Sequence, residues 1–135
     1  MSEPTVAVVI PAWEAADLLP EVLAATRVAF DGAVVCVVDA GSRDDTARVA
    51  EAHGAEVVRL RERAGPAHAR NVGVAHVDAD VVAFLDANCV PHGDVGRRVR
   101  EAFAADPELV CLCGSYDARP RDRGFFSQYM NLRHH

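Results

Sequence analysis

The sequence predicts an α/β fold, a mostly parallel sheet with helices on both faces, and three observations predict it. Runs that are apolar throughout, such as Val6 to Ile10, Val34 to Val38 and Val81 to Leu85, read as strands buried on both faces. Segments with apolar residues at helical spacing separate those runs. Boundary residues, Pro11, Gly54 and Gly65-Pro66 among them, punctuate the alternation. A parallel sheet wound with crossover helices has this pattern.

The elements follow in order. Val6 to Ile10 is a β-branched run ended by Pro11. Leu18 to Phe30 is helical, with residues 19, 22, 23 and 30 on one face, Asp17 as N-cap and Pro20 in the first turn. Val34 to Val38 is a second strand, ending at Asp39. Ser42-Arg43-Asp44-Asp45 resembles a capping box with Asp in place of Glu. The helix it opens carries Thr46, Val49, Ala50 and His53 on one face and stops at Gly54. Glu56 to Leu60 is a third strand, and Pro66 starts the next helix. Val81 to Leu85 is a fourth strand, ending at Asp86. Asp94 caps a helix with Val95, Val99, Ala102 and Phe103 on one face, and Asp106-Pro107 ends it. Leu109 to Cys113 reads as a fifth strand. The division expected is an α/β domain over residues 1–114 and a polar, aromatic extension over 115–135.

Composition narrows the function. A chain of 135 residues suffices for one domain with a real core. Its net charge of −6 argues against nucleic acid as a partner. No run is long and apolar enough for a transmembrane span, so a cytoplasmic location, or one peripheral to the membrane, is expected. All 14 basic residues are arginine. Mechanisms that require a lysine, the P-loop and Schiff-base chemistry among them, are excluded. Phosphate would be held by arginine, backbone N–H groups or a metal. Cys36, Cys111 and Cys113 lie in strand-like runs and read as buried small apolar residues. The C-x-C spacing of Cys111 and Cys113 does not match the common zinc knuckle.

Right-handed crossovers place the loops that follow strands at one edge of the sheet, where open α/β folds bind ligands. Pro11 to Glu14, Asp39 and Asp86 fall there. The stretch IPAWEAAD lacks the glycines of a dinucleotide fingerprint, and it lacks the basic, glycine-rich loop of a nucleotidyltransferase. Two carboxylates, an aromatic ring and Arg70 remain. Carboxylates can bond ribose hydroxyls and base N–H groups or ligate a divalent cation. Arginine pairs with phosphate, and Trp13 offers a flat face to a base. Together they suit a nucleotide diphosphate.

At these residues the sequence resembles the N-terminal, nucleotide-sugar-binding half of a family 2 glycosyltransferase. VVIPAWEAADLLPEVL is similar to that family's opening strand, turn and first helix. VCVVDAGSRDDTARVA resembles its D-x-G-S-x-D-x-T turn, and GPAHARNVG its A-R-N-x-G helix. VVAFLDANCVP resembles the strand bearing the D-x-D motif, and FFSQYMNLRHH loosely resembles a segment just past this half.

The resemblance implies a Rossmann-like GT-A nucleotide-diphospho-sugar transferase sheet. It implies transfer of a sugar, with inversion, from a nucleotide-diphosphate donor, UDP-sugar foremost, to a saccharide, lipid or other hydroxyl acceptor. Cell-wall or polysaccharide biosynthesis is the implied setting. Pro11, Ala12, Trp13, Glu14 and Asp39 would bind base and ribose, Arg70 the ribose or diphosphate, and Asp86 with Ala87 the ribose. Asp86 and Asn88 would hold Mn2+ or Mg2+, with Asn88 standing where the family usually has a second aspartate. The catalytic base lies in the family's second half, so none is assigned, and a fragment or truncated member is expected. Truncation would expose apolar surface and favour self-association.

Each residue also has a plainer reading. Asp39 and Asp86 could cap the turns after their strands, and Trp13 could be core. Glu14 and Arg70 could be solvated, and Asn71 could bond loop backbone. His92 reads as a loop histidine rather than a metal ligand, and His68 and His76 as helix positions without chemistry. The aromatic run from Phe125 to Met130 reads as packing or as surface exposed by truncation. A module of the same fold that binds nucleotide or a partner chain without chemistry is the alternative function.

Overall fold

The computed structural model describes residues 2–117. Its core is a four-stranded sheet of β1 (Val6–Ala12), β2 (Val34–Asp39), β3 (Glu56–Arg59) and β4 (Val81–Phe84). The order is β3-β2-β1-β4, and every pairing is parallel. Between and after the strands come α1 (Leu19–Ala29), α2 (Thr46–Ala52), α3 (Pro66–His76) and α4 (Val95–Ala105). Among the described residues, no helix is long and apolar enough to cross a membrane.

Strand parity sorts the core into two layers. Val6, Val8, Ile10 and Ala12 of β1 join Val35 and Val37 of β2 on one face. Leu19, Val22 and Leu23 of α1, Ala50 of α2 and Val95 and Val99 of α4 cover them. Val9, Cys36 and Val38 point to the other face and meet Ala69 and Val72 of α3. Ile10, Leu19 and Leu23 are almost wholly buried, each worth about 1.5–3 kcal/mol by transfer from water. On the α3 face the fit is close. A Cβ added to Gly73 would stand 2.2 Å from Cγ1 of Val9, so only glycine lets the helix lie this near the strand.

Several local expectations are revised. β1 runs through Pro11 instead of ending before it. Val9 C=O accepts from Leu85 N–H (3.1 Å) and Ala12 C=O from Ala40 N–H (2.8 Å). Pro11 therefore directs its nitrogen to the β4 side, past the last β1–β4 pair at Val9 and Phe84, and breaks no ladder bond. Asp17 does not cap α1. Leu18 holds that position without a side-chain bond, and Pro20 supplies the start. The Ser42–Asp45 capping box does not form. Ser42 turns to the neighbouring loop, and α2 begins at Thr46 without a side-chain N-cap. Asp94 likewise caps α4 by position alone.

The fifth strand, Leu109 to Cys113, is absent; residues 106–117 form no regular element. Strand propensity yields a strand only with a partner, and no described residue pairs with the outer edge of β4. Val110 is 94% exposed, and Cys111 and Cys113 are exposed rather than buried. Cys36 alone of those three is core, and burial, then the charge of Glu56, pushes its thiol up to about 11. The extension past Asp117, the run from Phe125 and the terminal histidines lie outside the described residues.

Candidate functional site

The end of β1 forms the middle of the rim. Trp13 is 45% exposed, so it is not a core residue. Glu14 has φ +48°, a left-handed conformation that turns the chain sharply toward α1. Its N–H donates to Ser42 Oγ at 2.9 Å, and its carboxylate accepts from the Arg43 N–H. Ala15 N–H donates to Thr46 Oγ1 at 2.9 Å, and Ala16 N–H to Asp44 Oδ2 at 3.2 Å. The Thr46 hydroxyl donates in turn to Asp44. Desolvation is the largest single influence on Asp44 and raises its pKa, but the hydrogen bonds from Thr46 and Ala16 together outweigh it and hold the carboxyl below its ordinary value.

The end of β2 supplies Asp39, only 6% exposed. Its Oδ1 accepts from Ser42 N–H at 3.0 Å, so one oxygen caps the turn. Gly41 follows with φ +81°, and a Cβ there would stand 2.5 Å from the carbonyl carbon of Glu62. Both the conformation and the approach call for glycine. This contact brings the loop after β3 against the loop after β2.

Those loops enclose an open cleft of about 710 Å³, lined by Trp13, Glu14, Gly41–Arg43 and Leu60–Arg63. The Arg63 guanidinium lies over the Trp13 ring, 3.9 Å from its centroid. Among the described residues, Arg43, Arg61 and Arg63 form no ion pair. Leu60–Arg63 join the rim beyond the residues expected from sequence. These residues follow a strand and fall under the same edge rule as Asp39 and Asp86.

The end of β4 is a second cluster, on the other side of β1 from the cleft. Asp86 is exposed, and Ala87 is half-buried in the turn that Cys89 N–H closes onto Asp86 C=O at 3.0 Å. Arg70, in the second turn of α3, donates from Nη2 to Asp86 Oδ1 at 2.9 Å. The two side chains are 35% and 50% exposed, so the pair contributes at most about 1 kcal/mol to stability. Asn88 is exposed, and among the described residues its Oδ1 receives a long 3.6 Å contact from Cys89 Sγ. Burial pushes the Cys89 thiol up, a Tyr116 contact opposes this, and Asp86 adds to the rise. His92 lies against Asp117 at 2.9 Å.

Among the described residues, no three His, Cys, Asp or Glu side chains converge as a metal cage. Asp86 and Asn88 offer one carboxylate and one amide oxygen, a partial set of hard ligands. Such a pair fits a Mg2+- or Mn2+-like ion when substrate phosphates supply further oxygens.

The sequence-predicted residues thus divide. Trp13 and Glu14 line the cleft, while Asp39 is buried beneath its loop. Pro11 and Ala12 are strand residues, with Ala12 buried. Arg70, Asp86, Ala87 and Asn88 belong to the β4 end, where the strand order reverses beside β1.

Comparison with known proteins places this arrangement. The profile of Glycosyl transferase family 2 matches residues 7–134. An uncharacterized glycosyltransferase of Mycobacterium tuberculosis is 38% identical over 102 residues, covering 75% of this chain and 45% of the relative. The chain therefore spans less than half the length of that curated relative. A mannosyltransferase from Pyrobaculum calidifontis, solved with GDP-Man and Mn2+, is similar at TM-score 0.73 and 29% identity, over 98% of this chain and 39% of that one. Glucosyl-3-phosphoglycerate synthase from M. tuberculosis, solved with Mn2+, UDP and glucosyl-3-phosphoglycerate, gives 0.59 and 31%, over 67% and 36%. The strand-end rim, the parallel sheet and these matches lead to one assignment: the chain belongs to glycosyl transferase family 2 and has the GT-A fold.

Proposed function

We propose that the chain is the donor-binding part of a glycosyltransferase that moves a sugar, with inversion, from a nucleotide-diphosphate donor to an acceptor hydroxyl. The observation that supports this is the meeting, along one sheet edge, of an exposed aromatic, arginines that form no ion pair with a described residue, and an Arg–carboxylate pair. Trp13 and the cleft would take the nucleobase, with Pro11, Ala12 and Asp39 forming the floor. Glu14 acts through the loop, because its carboxylate already holds the Arg43 amide. Asp86 and Ala87 would meet the ribose, and Arg70 the diphosphate, which offers it an anionic partner beyond Asp86. Asp86 and Asn88 would hold Mn2+ or Mg2+. When bound, the ion stabilises charge on the leaving nucleoside diphosphate. Residues 115–135 would begin the acceptor half.

Thermal unfolding with UDP, GDP or dTDP and Mn2+ tests donor binding. Ligand at 100 times its Kd adds about 2.7 kcal/mol of stability. No shift with any of them at millimolar concentration would sink the reading. Asn88 favours a second reading, a nucleotide-binding module without chemistry, because it leaves Asp86 as the only carboxylate in the Asp86–Asn88 tip. Sugar transfer or donor hydrolysis by this chain would exclude that module.

A further inference from the structure

We propose that Arg63 is a displaceable cap on Trp13, and that a nucleobase enters the cleft by taking its place on the ring. The inference rests on the donor-binding reading above. A guanidinium 3.9 Å from the ring centroid is in contact with that face and fills it. A stacked base would lie at a similar height over the same face, so the two exclude each other. Arg63 is exposed and makes no ion pair with a described residue, so its head group leaves without breaking another charged contact. An exposed cation–π contact is weaker than a base stacked on an aromatic ring, so the exchange favours the base. Gly41 lets its loop lie against the Glu62–Arg63 backbone, so the side chain can swing while the loop stays. The cap covers one face of the ring in the free protein, and the cost of lifting it is taken from the affinity of every base that stacks there.

The test compares the full chain with Arg63→Met, Trp13→Ala and the double variant, titrated calorimetrically with UDP and with GDP in Mn2+. Arg63→Met should tighten binding about two- to fivefold, the factor that an exposed cation–π contact corresponds to. It should do so although it removes a positive charge from a site for an anion. The gain should vanish when Trp13 is alanine. Unchanged or weaker binding by Arg63→Met, or the same gain without Trp13, would overturn the cap. Trp13 is the chain's single tryptophan, so its fluorescence reports the free state. Acrylamide should quench it more in Arg63→Met than in wild type, and equal quenching would also overturn the cap. If neither nucleotide binds the wild-type chain, the donor-binding reading itself fails, and the quenching result still judges the contact.

Discussion

Arg70 Nη2 donates to Asp86 Oδ1 at 2.9 Å, joining α3 to the tip of β4 across a half-exposed contact. In the free protein this pair adds little stability. In the donor-binding proposal, the pair holds a cation and a carboxylate where a diphosphate and a ribose would arrive. Arg70→Ala should therefore change unfolding free energy by less than about 1 kcal/mol. Affinity for UDP or GDP should fall about tenfold or more, the worth of a lost charge-assisted hydrogen bond. Urea unfolding and calorimetry, run on the same preparation, separate the two effects.

Asn88 brings an amide oxygen and no charge. Asn88→Asp should tighten Mn2+ binding severalfold in the presence of nucleotide, because hard cations favour carboxylates. Calorimetric titration of Mn2+ into the nucleotide-saturated protein measures this. Equal or weaker binding would remove Asn88 from the ligand set.

Gly73 lies under Val9 with no room for a methyl group. Gly73→Ala should destabilise the fold by about 1–3 kcal/mol through overpacking. Chemical denaturation should show a lower midpoint with an unchanged slope.

Thr46 is fully buried, and its hydroxyl accepts from Ala15 N–H while donating to Asp44. Thr46→Val keeps the shape and leaves that N–H unpaired, at a cost of about 1–3 kcal/mol. Thr46→Ser retains the oxygen and should cost less. A larger loss in the serine variant would show that the methyl group, not the hydroxyl, matters there.

Asp80 and Asp44 have carboxyls held below their ordinary values. In Asp80 the cause is the backbone N–H and then the hydroxyl of Thr5; in Asp44, hydrogen bonds from Thr46 and Ala16 outweigh desolvation. Both groups take up protons more readily in the unfolded chain. Their contribution is therefore complete above the usual carboxylate pKa of about 4 and is lost as pH falls through the lower folded values. Asp80→Asn and Asp44→Asn should flatten the acid limb of a Tm-versus-pH curve and leave its neutral region's slope unchanged.

The sheet was legible because β1 and β2 are buried on both faces, which leaves continuous apolar runs. Pro66 and Gly54 marked boundaries through backbone chemistry that needs no neighbour. Ser42 shows where local reading stops. Its spacing to Asp45 suited a cap, yet the unpaired Glu14 amide, 28 positions earlier, claimed its hydroxyl. Leu109 to Cys113 had strand composition, yet it pairs neither with the open edge of β4 nor with any other described strand. At the site, Asp39 and Asp86 could be placed from the strand-end rule alone. The Trp13–Arg63 contact could not, because it depends on two loops meeting where Gly41 touches Glu62.

The loop after β1 donates three amide protons, from Glu14, Ala15 and Ala16, to side chains across the gap, and Arg43 opposite donates a fourth back to Glu14. Neither loop can open alone without breaking all of these bonds. In hydrogen exchange, the four amides should therefore lose protection in one event rather than one by one. The two loops then open or stay closed together, and while they are closed only side-chain motion can admit a ligand.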